Sequence, residues 1–266
     1  MKANLKSCTA LCVATCDYEL SLNAFLTCKN HCDFSEMLIL SDRPQPVPHA
    51  LIATLSSIQD YSEFMLRRLG NYFNTSHALV FQWDGFVINP SLWTDEFLEY
   101  DYIGAPWGFH DDMNVGNGGF SLRSKKLYEA LGSIDFDMRM PDGSLMPEDA
   151  FLCRGSVRPI LENKFGIRFA PQNLARQFSM EYVGAGRSFG FHGFSNFPAI
   201  LGEELTMHVL TQKGPSICTS VSYMKALEFA DSSGMTSLLR RLIQFAAEHG
   251  KLDEIEAKFP EVNFVR

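Results

Sequence analysis

Three short apolar runs, each closed abruptly by polar residues, set the first constraint on how this chain folds. Cys8–Thr15, rich in small and β-branched residues, Met37–Leu40 and Ala78–Phe81 stop at Thr15-Cys16-Asp17-Tyr18, Ser41-Asp42-Arg43-Pro44 and Gln82-Trp83-Asp84-Gly85. Runs of this kind read as strands buried on both faces of a parallel sheet. Leu20–Lys29 and Ser57–Leu69 between them carry helical spacing, so the chain opens as strand, helix, strand, the start of an α/β fold. Ligands of open α/β sheets bind beyond the carboxyl ends of the strands. Those ends carry Thr15, Asp42 and Asp84.

Further along, Leu92–Trp107 reads as a short helix and a strand, and Gly108–Gly119 as a glycine- and Asp/Asn-rich loop. Phe120–Arg123 is strand-like, Ser124 caps a helix to about Leu131, and Pro147-Glu148-Asp149 opens another, with proline and acids in its first turn. Residues 184–194 form a last Gly-aromatic segment. From about residue 216 the character changes: Val221–Phe229, Met235–His249 and Leu252–Phe259 read as amphipathic helices without a catalytic-looking cluster. The expected organisation is therefore a catalytic domain over 1–215 and a helical appendage over 216–266, which docks on the α/β domain, on a second copy or on a partner.

The formal charge of −8 has the wrong sign for a protein that grips nucleic acid through its phosphates. A small phosphorylated ligand stays open, because a divalent cation can bridge carboxylates and phosphates. No apolar run approaches the ~20 residues of a membrane span, and the first residues pass straight into a strand, so the expected compartment is the cytoplasm. Seven cysteines in a chain of this length fit reduced thiols better than a disulfide framework. Cys8, Cys12, Cys16, Cys28 and Cys32 lack the Cys-x₂-Cys spacing of a zinc knuckle. The glycines at 184, 186, 190 and 193 follow no strand and open no helix, so they are not a dinucleotide fingerprint.

The chemistry-bearing constellation is an acid at a strand end (Asp84), an acidic pair at a helix start (Glu148, Asp149) and a histidine among glycines and aromatics (His192). Singly, each has a plain structural explanation as a turn residue, helix-cap charges or a core histidine; their joint order favours function. That order resembles the GT-A class of glycosyltransferases, in the nucleotide-diphospho-sugar transferase superfamily, and more closely a bacterial family described only as a domain of unknown function. The resemblance lies in Val13-Ala14-Thr15, Leu38–Arg43, Phe81–Gly85, Tyr100–Trp107, Val115–Arg123, Pro147-Glu148-Asp149 and Phe189–His192.

The resemblance implies a Rossmann-like mixed sheet flanked by helices, and transfer of a sugar from a nucleotide-diphosphate donor to a hydroxyl acceptor, as in polysaccharide biosynthesis. It implies Thr15 and Asp42 at the base and ribose, with Gln82 and Asp84 facing the donor. Asp84 and His192 would hold Mn²⁺ or Mg²⁺ on the diphosphate. Asp149, with Glu148 as alternative, would be the base of an inverting transfer. Asn117, Gly118 and Gly119 let backbone come close to a sugar, and Trp107 offers an apolar face to a pyranose ring or plugs the core. Gln82-Trp83-Asp84 departs from the Asp-x-Asp pattern, so one carboxylate is replaced by an amide or the register differs. Two other readings stand beside this one: a metal-dependent phosphohydrolase on Asp42, Asp84 and His192, and a non-catalytic glycan- or partner-binding module.

Overall fold

The computed structural model describes residues 2–109, 111, 113–140, 142–182 and 187–258. Its contacts divide the chain into two units, one reaching Glu181 and including the stretch that ends at His192, the other beginning at Gly193. The sequence places the division near residue 215, and these contacts group the helix Phe197–Lys213 with the later helices.

The first unit is built on a six-stranded sheet of order β3-β2-β1-β4-β6-β5. Strands β1 (Ala3–Val13), β2 (Cys32–Ser41), β3 (His49–Leu51) and β4 (His77–Phe81) run parallel. The expected runs at 8–15, 37–40 and 78–81 are the carboxyl-terminal parts of β1, β2 and β4. These are the stretches covered on both faces, whereas Lys2–Ser7 alternates with solvent and carries no continuous apolar signal. Helices α1 (Tyr18–His31) and α2 (Ile58–Arg67) are the crossovers.

Strand β6 (Ser121–Ser124) pairs antiparallel with β4 and with β5 (Tyr102–Gly104), making the sheet mixed. Ser124 ends β6 and caps α3 (Lys125–Gly132), its hydroxyl accepting from Leu127 N at 2.9 Å. Helices α4 (Glu148–Arg154), α5 (Val157–Phe165) and α6 (Gln172–Phe178) follow, with the two-residue strands β7 (Ser179–Met180) and β8 (Gly190–Phe191). One core holds Leu11, Leu40, Val80 and Tyr102 of the sheet against Met65 of α2, Leu127 of α3, Leu152 of α4 and Leu161 of α5. A Phe cluster, with Phe120 stacked on Phe178 at 5.2 Å and Phe178 beside Phe189, ties the residue before β6, α6 and the residues before β8 together.

The second unit is helical: α7 (Phe197–Lys213), α8 (Val221–Ser232), α9 (Thr236–Glu248) and α10 (Leu252–Lys258). Gly202 breaks α7 with φ 73°, a conformation open to glycine. Tyr223 is fully buried, stacks on Phe194 and donates from its hydroxyl to Leu242 O at 2.6 Å, giving these helices a core of their own. Among the described residues no helix is long and apolar enough to cross a membrane.

Candidate functional site

The antiparallel pairing of β6 with β4 creates the site. With Val80 opposite Ser121, the residues just before β6 lie beside the residues just after β4. Gln82-Trp83-Asp84-Gly85 is a tight reversal closed by two backbone hydrogen bonds, Gln82 N to Gly85 O at 3.2 Å and Gly85 N to Gln82 O at 3.1 Å. Phe191 N donates to Phe86 O, and His192 N donates to Met180 O, which fixes His192 against that reversal.

His192 is the hub. Its Nε2 lies 3.1 Å from Gln82 Oε1 and 3.5 Å from Asp84 Oδ1, and its Nδ1 lies 3.0 Å from Asn117 Nδ2. Gln82 in turn donates to the Tyr61 hydroxyl at 2.8 Å, and burial pushes the Tyr61 phenol well above its usual range. Asn117 has φ 37° and accepts from Gly119 N at 3.1 Å, a turn that an Asn tolerates better than most residues. Burial disfavours the His192 imidazolium, but Asp84, Glu181 and Asp149 outweigh it and raise its pKa to about 8. The Asn117 amide, donating to Nδ1, instead selects the neutral ring with its proton on Nε2. The direct hydrogen bond fixes the tautomer of the neutral form; the carboxylates fix how readily it takes a second proton. Glu181, absent from the sequence reading, belongs to this group. Burial raises its carboxyl to about 7, helped by Asp149 and Asp84 and opposed by His192 and Asn117.

Beneath the turn lies a buried ion pair. Arg123 Nη1 and Nη2 donate to Glu148 Oε2 and Oε1 at 3.0 and 2.9 Å, and Nη2 also reaches Gly118 O at 3.2 Å. Glu148 keeps the guanidinium charged far above its usual value in spite of burial. Both Glu148 oxygens are thus engaged away from solvent, and the candidate base is Asp149. Its Oδ2 accepts from Gly118 N at 3.0 Å and its Oδ1 from Ala150 N at 2.7 Å, leaving each oxygen a further lone pair.

The two glycines are filled by protein rather than left open. A Cβ on Gly118 would strike Glu148 Oε1, and one on Gly119 would strike His192 Nε2 and Gln82 Oε1. On the side where a side chain would stand, their lack of bulk makes room for Glu148, His192 and Gln82. Trp107 likewise lays its ring against Gly116, where a Cβ would collide with it, so that face serves packing.

Thr15 lines a cavity of about 350 Å³ with Leu55, Ile58, Tyr61, Gln82 and Trp83. Asp42 is not among the residues lining it. It accepts from Thr54 Oγ1 and Tyr18 Oη, both at 2.8 Å, and these bonds, led by Thr54, hold its carboxyl below the usual range. Cys8, Cys12, Cys28 and Cys32 are buried thiols, and burial pushes Cys12 and Cys28 to about 12. Gly184 and Gly186 lie outside the described residues.

Asp84 Oδ1 is buried and faces His192 Nε2 at 3.5 Å with no shorter hydrogen bond, a placement that suits a cation ligand. Carboxylate, imidazole and the Gln82 amide oxygen converge there, a mixed oxygen and nitrogen set that suits a divalent cation retaining open positions. Binding at Nε2 requires the Asn117 amide to turn its oxygen to Nδ1, at the expense of the Gly119 bond. Among the described residues no group of three or more His, Cys, Asp or Glu could hold a metal, so the protein offers two strong ligands and an amide.

No curated protein matches the chain. Similar solved structures include a glycosyltransferase involved in the glycosylation of the major capsid of PBCV-1, at 12 % identity over 70 % of this chain and 91 % of that one, with a TM-score of 0.41. The protein A197 from STIV is 15 % identical over 62 % of this chain and 82 % of its own, with a TM-score of 0.34. Neither likeness assigns a role to a residue. Residues 48–192, which hold every residue of the site except Thr15 and Asp42, match the family described as Protein of unknown function (DUF5672), and the chain belongs to that family.

Proposed function

We propose that the first unit is a GT-A-like glycosyltransferase domain that moves a sugar from a nucleotide-diphosphate donor to a hydroxyl acceptor with inversion. The observation that carries this is the convergence of Asp84, His192, Gln82 and Asp149 at the carboxyl end of β4, next to the cavity that Thr15 and Tyr61 line.

In this reading the donor's nucleoside occupies that cavity, with the Tyr61 hydroxyl free to donate to it because Gln82 occupies only its acceptor side. Asp84 and His192, with Gln82, would hold Mn²⁺ or Mg²⁺, an ion that would supply positive charge to the diphosphate leaving group. Asp149 takes the proton from the acceptor hydroxyl. The acceptor oxygen bonds to the anomeric carbon as the bond from that carbon to the phosphate oxygen breaks, and the nucleoside diphosphate leaves with the electron pair. Gly118 N and Ala150 N orient the Asp149 carboxylate, and Arg123–Glu148 positions the Gly118 turn. Glu148 is thereby assigned to support rather than to proton transfer.

The test is a panel of UDP-, GDP-, CMP- and dTDP-sugars, with and without Mn²⁺, followed by thermal stability and by release of free nucleotide. Stabilisation by one nucleotide class, strengthened by Mn²⁺, is the expected result. No response to any donor would remove the proposal.

A further inference from the structure

Gln82 stands two residues before Asp84, where the Asp-x-Asp pattern has an acid, and its amide reaches two partners at once. Its Oε1 faces His192 Nε2 at 3.1 Å, and its Nε2 donates to the Tyr61 hydroxyl at 2.8 Å. The direction of this chain is anchored in the backbone. Gly119 N donates to Asn117 Oδ1, which turns the Asn117 NH₂ to His192 Nδ1 and leaves the ring proton on Nε2. Gln82 then offers that proton its oxygen, and its N–H falls to Tyr61.

The arrangement at Tyr61 outlasts changes at the histidine. A doubly protonated His192 still presents a proton at Nε2, and a cation between Nε2 and Asp84 attracts the same amide oxygen. In each state Gln82 keeps its carbonyl toward His192 and its N–H toward Tyr61. The phenol oxygen therefore accepts, and its own proton finds no acceptor among the described residues. Burial keeps that proton on the phenol and makes leaving it unpaired costly.

Tyr61 and Gln82 line the cavity of about 350 Å³ together with Thr15, Leu55, Ser57 and Ile58. Other polar groups of that wall are already committed. Thr15 Oγ1 donates to Leu55 O at 3.1 Å. At the start of α2, Ser57 Oγ accepts from Asp60 N at 3.0 Å, and Asp60 Oδ2 accepts from Ser56 N at 2.9 Å. A helix start capped by its own acid repels phosphate, so the phosphates of a bound nucleotide belong on the Gln82 side, toward Asp84 and His192.

We infer that Tyr61 binds the nucleotide by donating to a phosphate oxygen next to the nucleoside, and that Gln82 is its positioning residue. A carboxylate at position 82 has no N–H and would take the Tyr61 proton itself; the amide leaves Tyr61 a proton to give. This contact rests on the donor nucleotide occupying the cavity.

The experiment is isothermal titration calorimetry of the full chain with UDP, GDP, CDP and dTDP in Mn²⁺, and with the four parent nucleosides. One diphosphate is expected to bind. Tyr61→Phe should weaken it about tenfold or more, with an unchanged circular dichroism spectrum, and should leave the affinity for the nucleoside as it was. Gln82→Glu should weaken it as well, and Tyr61→Phe added to Gln82→Glu should cost no further affinity, because the hydroxyl then already faces the carboxylate. Full affinity in Tyr61→Phe, an equal loss with the nucleoside, or additive losses in the double variant would overturn the inference and leave the donor reading standing. Binding of no diphosphate would remove both. Tyr61-dependent binding without sugar transfer from any donor would keep this contact and remove the transferase reading alone.

Discussion

Arg123 and Glu148 face each other through two hydrogen bonds of 3.0 and 2.9 Å in space that any side chain at Gly118 would fill. The pair ties β6 to the start of α4, and Gly118 O takes one further bond from the same guanidinium. The support of the candidate site and the core of the fold are therefore the same object.

Breaking the pair from one side strands a buried charge. Glu148→Leu and Arg123→Met are each expected to cost about 3–5 kcal/mol, whereas the double replacement Arg123→Met with Glu148→Leu should recover much of that loss. All three tryptophans, Trp83, Trp93 and Trp107, lie in the first unit, so urea unfolding followed by their fluorescence reads this unit alone. Additive losses in the double variant would show that the two residues do not act as a pair.

Asp84 lies 3.5 Å from His192 and raises its pKa, so its removal takes a charge partner from that histidine but strands no backbone group. Asp84→Ala is expected to keep the melting temperature within a few degrees of the parent and to lose Mn²⁺-dependent stabilisation by nucleotide. Retained Mn²⁺ dependence would place the cation elsewhere.

Asp149→Asn preserves shape and deletes the proton acceptor. Sugar transfer should fall by about a hundredfold or more while donor affinity changes little. Parallel loss of donor affinity would mean that Asp149 positions the donor instead.

His77 is buried at the amino end of β4, with Nε2 3.1 Å from Tyr100 O and Nδ1 3.1 Å from Ser76 Oγ. Burial lowers its pKa, against smaller contributions from Tyr100 O and Asp101. The folded state therefore binds this proton less readily than the unfolded chain. The resulting stability is complete above the unfolded value near 6.5 and is lost as pH falls from there toward the depressed folded value. Between pH of about 7.5 and 5.5, the urea midpoint of the wild type should fall more steeply than that of His77→Gln. Parallel curves would exclude the histidine as the source.

The existence of β1, β2 and β4 was readable because their carboxyl-terminal stretches are largely apolar and each ends at polar residues, whereas their order in the sheet was not. Helix starts were readable at Ser124 and Pro147 from capping chemistry alone. Asp84, Gln82, Asn117, Asp149 and His192 do come together, but Asp42 turns to Thr54 and Tyr18, partners set by how β2 meets the Pro-rich segment after it. Glu148 and Asp149 could not be told apart by position. Their difference arises from Arg123, a residue 25 positions away that reads like any strand-end cation. Tyr61 and Glu181 carry no local motif, and only the packing of α2 and the end of β7 brings them in. The packing of α7 with the later helices was likewise invisible, because its apolar residues do not form one stripe.

The reversal of direction at β6 has a consequence for the order in which the molecule is made. The parallel strands need only the first 81 residues, and they could associate while the ribosome is still adding the rest. The cluster around His192 cannot form then, because Gln82 and Asn117, the latter from the residues before the antiparallel strand, are joined only through His192. A nascent chain long enough to hold a stable sheet would thus still be chemically silent, and competence would arrive in one late step when the first unit is complete.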